Sequence, residues 1–269
     1  MSNPSITYDH ADVDPRMRGP RWYRRPVPFA RLILVHLRIW RAQKGVVAGC
    51  VLALVAGLVG VVATMASLSG AVTAGVVSTR FTGFPLTAFS LVWLAVGAVA
   101  AAAPFKSGWA LVLLSVAPRR GRWLTACAAS FLLLTVAVTA LFAVLAVVLS
   151  AAVLAAKGHD PALALAIGRP AVLLLVVVVL QASVGFLLGA ATRSVTAAII
   201  IGYVVAPAAS AAKVGSVDLG RYLDLNGALS AISAGQADGH ALLSVLSAIV
   251  LWIAVPALVA WSRLRSSVG

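Results

Sequence analysis

The side chains able to do acid–base, metal or nucleophilic chemistry are few, and their placement argues against such chemistry. All seven acids are aspartates: Asp9, Asp12 and Asp14 near the N-terminus, and Asp160, Asp218, Asp224 and Asp238 in polar segments between apolar runs. None lies inside a long apolar run. A proton- or ion-coupled transporter keeps ionisable groups at membrane depth, so that class is not expected. Cys50 and Cys127 fall inside or beside apolar runs without Cys-x-x-Cys or Cys/His spacing, which points to buried thiols rather than a disulfide framework or zinc site. No catalytic residue and no metal ligand set is expected. The chain also lacks a Gly-x-x-x-x-Gly-Lys-Ser/Thr loop for ATP phosphates.

The remaining functional chemistry is basic, and it concentrates in Pro104–Cys127. Lys106 and the cluster Arg119, Arg120 and Arg122 bracket an apolar block from Trp109 to Ala117, and Pro118 ends any helix that block forms. About ten helical residues cover roughly 15 Å, half a bilayer core. A short helix lying flat at a membrane surface, pinned by basic residues and able to touch another protein, is expected here.

With 62% hydrophobic and 10% charged residues and a mean hydropathy of +1.04, the chain falls outside the range of soluble proteins, where charged residues approach about 25%. The net charge of +14 is dispersed at the ends of apolar runs, which fits membrane topology and not a nucleic-acid-binding face.

Residues 1–28 read as a disordered cytoplasmic tail, with aspartates, then arginines, punctuated by prolines. Arg24-Arg25 is not expected to be an export signal, because the apolar run follows too far downstream. Over 29–44, Phe29, Leu32, Ile33, His36, Leu37 and Trp40 recur at helical spacing while Arg31, Arg38, Arg41 and Lys44 mostly occupy other faces. This predicts an amphipathic interfacial helix with arginines reaching toward lipid phosphates. Six apolar runs follow at about 45–68, 86–103, 123–150, 170–191, 195–212 and 241–262, each near or above the ~18 residues needed to cross a bilayer. Thr192-Arg193-Ser194 predicts a tight surface turn between the fourth and fifth runs.

Lysine and arginine placement sets the orientation. Nine before the first span, four in 104–122, Arg193, and Arg263 with Arg265 make sixteen on one side; Arg80, Lys157, Arg169, Lys213 and Arg221 make five on the other. Both termini are therefore expected in the cytoplasm. The last outer segment, 211–240, carries Leu219, Tyr222, Leu223, Leu225, Leu229 and Ile232, enough for short helices in the outer leaflet. Small residues recur at four-residue spacing: Gly45, Gly49, Ala53 and Gly57, and again Gly185 and Gly189. Such ladders bring helices close, and Gly49, Ala53 and Gly57 are candidates for a subunit interface. Of the few polar residues inside spans, Gln181, Ser183, Thr135 and Thr139 are candidates for a substrate path, with interhelical hydrogen bonding as the alternative.

Phe105-Lys106-Ser107-Gly108, a short apolar helix, and Pro118-Arg119-Arg120-Gly121-Arg122 together resemble the segment joining the second and third spans in permease subunits of the type-2 ATP-binding-cassette exporter family. Pro104 stands where that family has an acid, and Cys127 where a lysine often follows; Tyr222-Leu223-Asp224-Leu225-Asn226-Gly227 is a looser second match. The resemblance covers roughly residues 29–265. It implies an all-α integral membrane protein with six transmembrane helices after an amphipathic interfacial helix. It also implies a coupling helix, with Lys106, Trp109, Pro118, Arg119, Arg120 and Arg122 meeting the ATPase. Such a permease has no catalytic residue or cofactor of its own. ATP and Mg are bound by a cytoplasmic ATPase present in two copies, and a second permease chain, identical or a sister, completes the transporter. Its setting would be a bacterial plasma membrane, with an amphipathic drug, antibiotic, peptide or lipid as cargo and antibiotic resistance as one outcome. A membrane scaffold or sensor subunit that anchors partners is the alternative; a membrane-embedded lipid enzyme is disfavoured for want of clustered Asp or His.

Overall fold

The computed structural model describes residues 28–106, 108, 120–205, 208, 243 and 246–266. Every regular element among them is helical. In chain order these are α1 (Phe29–Ala42), α2 (Lys44–Ala66), α3 (Ala74–Thr82), α4 (Phe84–Lys106), α5 (Arg120–Ala156), a 3-10 turn (Pro161–Ile167), α6 (Gly168–Thr192) and α7 (Val195–Ile200). The last runs on as a π-helical turn to Val205, and a second π turn (Val250–Ala254) leads into α8 (Val255–Ser266).

Five segments are long and apolar enough to cross a membrane: Lys44–Ala66, Ala88–Lys106, Gly121–Ala156, Pro161–Thr192 and Leu246–Arg263. The protein is thus an all-α chain of multi-pass membrane type. The apolar helix Val195–Val205 is shorter, and most of the remainder of the expected 195–212 span lies outside the described residues. So do the tail (1–27), nearly all of 107–119, and 211–240.

Two boundaries differ from expectation. The second span does not stop at 103; α4 passes through Pro104 and ends at Lys106, because a proline one turn from a helix end removes a single backbone bond. The third begins at Arg120 and continues to Ala156, a 37-residue helix about 55 Å long, well beyond the ~30 Å hydrocarbon core. It ends where Gly158 (φ 75°) takes the left-handed conformation, with His159 N donating to Leu154 O (2.9 Å) and Gly158 N to Ala155 O (3.0 Å). This is the glycine-terminated Schellman arrangement. The helix α3 lies in what reads from sequence as a plain loop; Thr73 caps it, accepting from Val76 N. Asp160 likewise caps the 3-10 turn, accepting from Ala162 N (2.8 Å), with Pro161 at its first position.

The interior is an aromatic column. Phe81 of α3 faces Phe142 of α5; Phe142 stacks on Phe89 of α4 with centroids 4.1 Å apart; Phe89 meets Trp93, Trp93 meets Phe131, and Phe131 contacts both Phe186 of α6 and Trp40 of α1. All are buried, so the bundle is solid along its axis. Around it, α4 and α6 approach until their backbones touch: a Cβ on Gly185 would collide with the Leu94 carbonyl, one on Gly189 would sit 2.6 Å from Ala98 O, and one on Gly97 2.7 Å from Phe186 N. The Gly185/Gly189 ladder thus serves packing within the chain, as small-residue ladders do in membranes.

At the end of the bundle that carries α3, the Lys157 ammonium binds the Ala66 and Leu68 carbonyls that terminate α2. A cation at a helix C-terminus satisfies orphan carbonyls and the helix dipole together. Lys157→Met is expected to lower stability by about 1 kcal/mol, discounted for exposure, read as a fall in melting temperature of the detergent-purified protein that Lys157→Arg largely avoids.

Candidate functional site

The opposite end of the bundle gathers the basic residues, and its construction begins with the end of α4 and the start of α5. Phe105 meets Trp123 edge to face at 6.4 Å. The end of α4 and the start of α5, which the sequence separates by an apolar block, therefore lie side by side. Gly121 allows this closeness to α8, since a Cβ there would collide with the Trp261 ring.

The turn Thr192-Arg193-Ser194 adds a third strut. Thr192 Oγ1 donates to Leu188 O (2.8 Å), Ser194 Oγ accepts from Ala197 N (3.3 Å), and Arg193 takes the left-handed conformation (φ 55°). That conformation is uncommon for a residue with a Cβ, and its contacts hold it: Arg193 Nη2 donates to the Arg263 carbonyl (3.1 Å), and its guanidinium lies 5.3 Å from the Phe105 ring centroid. Arg263 Nη1 returns a bond to Ala191 O (2.8 Å). The ends of α4, α6 and α8 are thereby stapled together.

The fourth strut is α1. Trp40 is buried and donates from Nε1 to Ser130 Oγ (2.9 Å) on α5, while Ser130 itself donates to Cys127 O. One turn earlier, His36 stacks obliquely on Trp123 (6.0 Å) and donates from Nδ1 to Leu32 O (2.7 Å). Burial holds the His36 imidazole below its ordinary pKa, partly offset by that bond, so it stays neutral near pH 7. Arg31, Arg38 and Arg41 face outward with Leu34 and Val35 beside them; α1 is amphipathic, one face packed on α5.

Of the residues expected to meet an ATPase, Lys106 is exposed at the tip of α4 and Arg122 half-buried in the first turn of α5. Arg120 opens α5, and its side chain lies outside the described residues, as do Trp109, Pro118 and Arg119. The residues expected along a substrate path sit as follows. Thr135 and Thr139 are buried in the column, donating to Phe131 O (3.0 Å) and Thr135 O (2.8 Å). Ser183 donates to Val179 O (2.6 Å), and Gln181 is buried. Each of these three hydroxyls bonds a carbonyl of its own helix one turn earlier, rather than a neighbouring helix. Gly49, Ala53 and Gly57, expected at a subunit interface, lie against the chain's own helices: a Cβ on Gly49 would meet Val96 at 2.5 Å, one on Gly57 would meet Phe142 at 2.5 Å, and Ala53 is fully buried. The small face of α2 packs on α4 and α5. Among the described residues no group of His, Cys or Asp could hold a metal ion.

The staple of Arg193, Phe105 and Arg263 was not foreseen beyond the turn itself. An arginine flanked by Thr and Ser between two apolar runs signals a surface turn, but nothing local names its partners. Compared with family models, with curated proteins and with solved structures, the chain matches none.

Proposed function

We propose that this chain is the permease subunit of an ATP-driven exporter, with six spans, both termini in the cytoplasm, and energy supplied by two copies of a separate ATPase. The observation that carries the reading is the closure of the 104–122 segment at the basic end. Its flanking residues Phe105 and Trp123 are in contact, which holds together the two ends of the motif that resembles a coupling helix. Placing Arg120 and Arg122 in the first turn of α5 supports a partner. Cations at a helix N-terminus oppose its dipole by ~0.3–1 kcal/mol each, a cost that an acidic or phosphate-bearing surface would offset. The solid aromatic column supports a route for cargo along the outside of the bundle, against a second permease chain, at a surface other than the packed face of α2.

The test is a pull-down of the tagged chain from gently solubilised membranes, wild type against Arg119→Glu/Arg120→Glu/Arg122→Glu. Recovery of a P-loop ATPase with the wild type, reduced about tenfold or more by charge reversal at a polar interface, is the expected result. An intact, folded wild-type chain that brings down no ATPase would sink the permease reading in favour of a membrane scaffold.

A further inference from the structure

Of the two histidines among the described residues, His159 is half-buried just past the end of α5, and His36 is 4% exposed on the face of α1 that packs on α5. The two nitrogens of His36 are not equivalent. Nδ1 lies 2.7 Å from the Leu32 carbonyl, which can only accept, so Nδ1 carries the proton of the neutral ring and Nε2 is left a bare acceptor. Nε2 is buried and has no hydrogen-bond partner among the described residues. The indole of Trp123, 6.0 Å from the imidazole, has its own Nε1–H buried and without a partner there. A proton added at Nε2 would therefore meet no acceptor on either ring.

The charges on the surrounding elements have one sign. On α1 itself they are Arg31, Arg38 and Arg41, all exposed, and α2 begins with Lys44. Arg120 and Arg122 open α5 and Lys106 ends α4. Arg193 lies over Phe105, which in turn meets Trp123. Cys127 is the remaining titratable group on this stretch of α5, a buried free thiol. No acid occurs between Phe29 and His159, so no carboxylate of α1 to α5 is at hand to stabilise an imidazolium.

We infer that α1 is a pH-operated latch, docked on α5 while His36 is neutral and released when the ring takes a second proton. The new N–H would be buried without an acceptor and the new charge buried among cations; both favour the undocked helix, where water serves each. Burial holds the docked imidazole below its ordinary value of 6.5, partly offset by the Leu32 bond, whereas the released helix titrates near that value. Docking is therefore strongest above about pH 6.5 and loses up to tenfold in equilibrium constant per pH unit below it, until the docked ring itself protonates. Because Trp123 also meets Phe105, release uncovers one side of the contact between the ends of α4 and α5. The latch belongs to the bundle and stands whether or not an ATPase partner exists.

The experiment is double electron–electron resonance on the full chain in nanodiscs, with Cys50 and Cys127 replaced by alanine and spin labels on Val35→Cys and Leu133→Cys, both outward-facing positions. A single short distance is expected at about pH 7.5. At about pH 5.5 a longer, broader population should join it, raised up to tenfold over its level at pH 6.5. His36→Phe should keep the short distance at both pH values, and His159→Gln should respond as the parent does. A parent distribution unchanged between the two pH values would overturn the latch without recourse to any His36 variant. A folded His36→Phe protein that still releases α1 in acid would overturn it as well.

Discussion

Gly185→Leu should prevent the chain from folding. The carbonyl oxygen, carbonyl carbon and Cα of Leu94 all lie where a Cβ at position 185 would go, and backbone atoms of a buried helix cannot turn aside as a side-chain tip would. Alanine is a sharper version of the same test. In a helix, Gly→Ala gains about 1 kcal/mol from propensity, whereas overpacking a tight contact costs ~1–3 kcal/mol. Here the contact is backbone on backbone and repeats at Gly189 and Gly97, so the steric term wins and Gly185→Ala is expected to lower the melting temperature of the purified protein. Leucine should go further, past ~4 kcal/mol, and yield no monodisperse protein. The control is Gly168→Ala, where a Cβ meets nothing within 4 Å and the backbone is already helical; its melting temperature should hold or rise slightly. A Gly185→Ala protein as stable as wild type would mean that α4 and α6 do not touch as described.

Trp40→Ala should release α1 from the bundle. The side chain is 1% exposed, packs edge-on against Phe131 at 6.2 Å and donates to Ser130 Oγ. Removing a buried tryptophan costs ~3–5 kcal/mol, leaving His36 against Trp123 as the other ring contact between α1 and α5, and past Gln43 (ψ 101°) the chain turns away into α2. Detachment can be read directly, because α1 carries Arg31, Arg38 and Arg41. Trypsin should cut at these positions in Trp40→Ala and spare them in wild type. Trp40→Phe keeps the ring but loses the hydrogen bond, and should cost only about 1 kcal/mol. A double-mutant cycle with Ser130→Ala should recover a coupling of similar size, and a cycle showing none would leave packing alone holding α1.

Hydropathy located the helices well and their inward faces poorly, for a physical reason visible in α5. In a water-soluble helix the buried face is the apolar one. Here lipid is as apolar as any core, and Leu133, Leu141, Val144 and Val148 point outward, while the interior stripe consists of Ser130, Phe131, Thr135, Thr139, Phe142 and Ser150. Small hydroxyls and aromatics mark the inside, and Thr135 and Thr139 there bond carbonyls of their own helix. The glycine ladders show a related limit. Spacing by four reveals that a helix will be closely approached, but not whether the neighbour belongs to the same chain; α2 and α6 both chose their own. By contrast, the helix and its apolar stripe in α1 were legible, because its mix of arginine and apolar residues restores the contrast that the spans lack; that His36 and Trp40 of this stripe pack on α5, and not in the interface where the sequence places them, was not.

The touching backbones of α4 and α6 have a mechanical meaning. Helices separated by ordinary side chains can shear past one another as rotamers change. With the carbonyls of Leu94 and Ala98 seated against Gly185 and Gly189, sliding or rolling would open a gap or force a clash, so the pair has the stiffness of one doubled beam. A load at the Lys106 end of α4 would therefore be shared by α6 along the stretch where the two backbones touch.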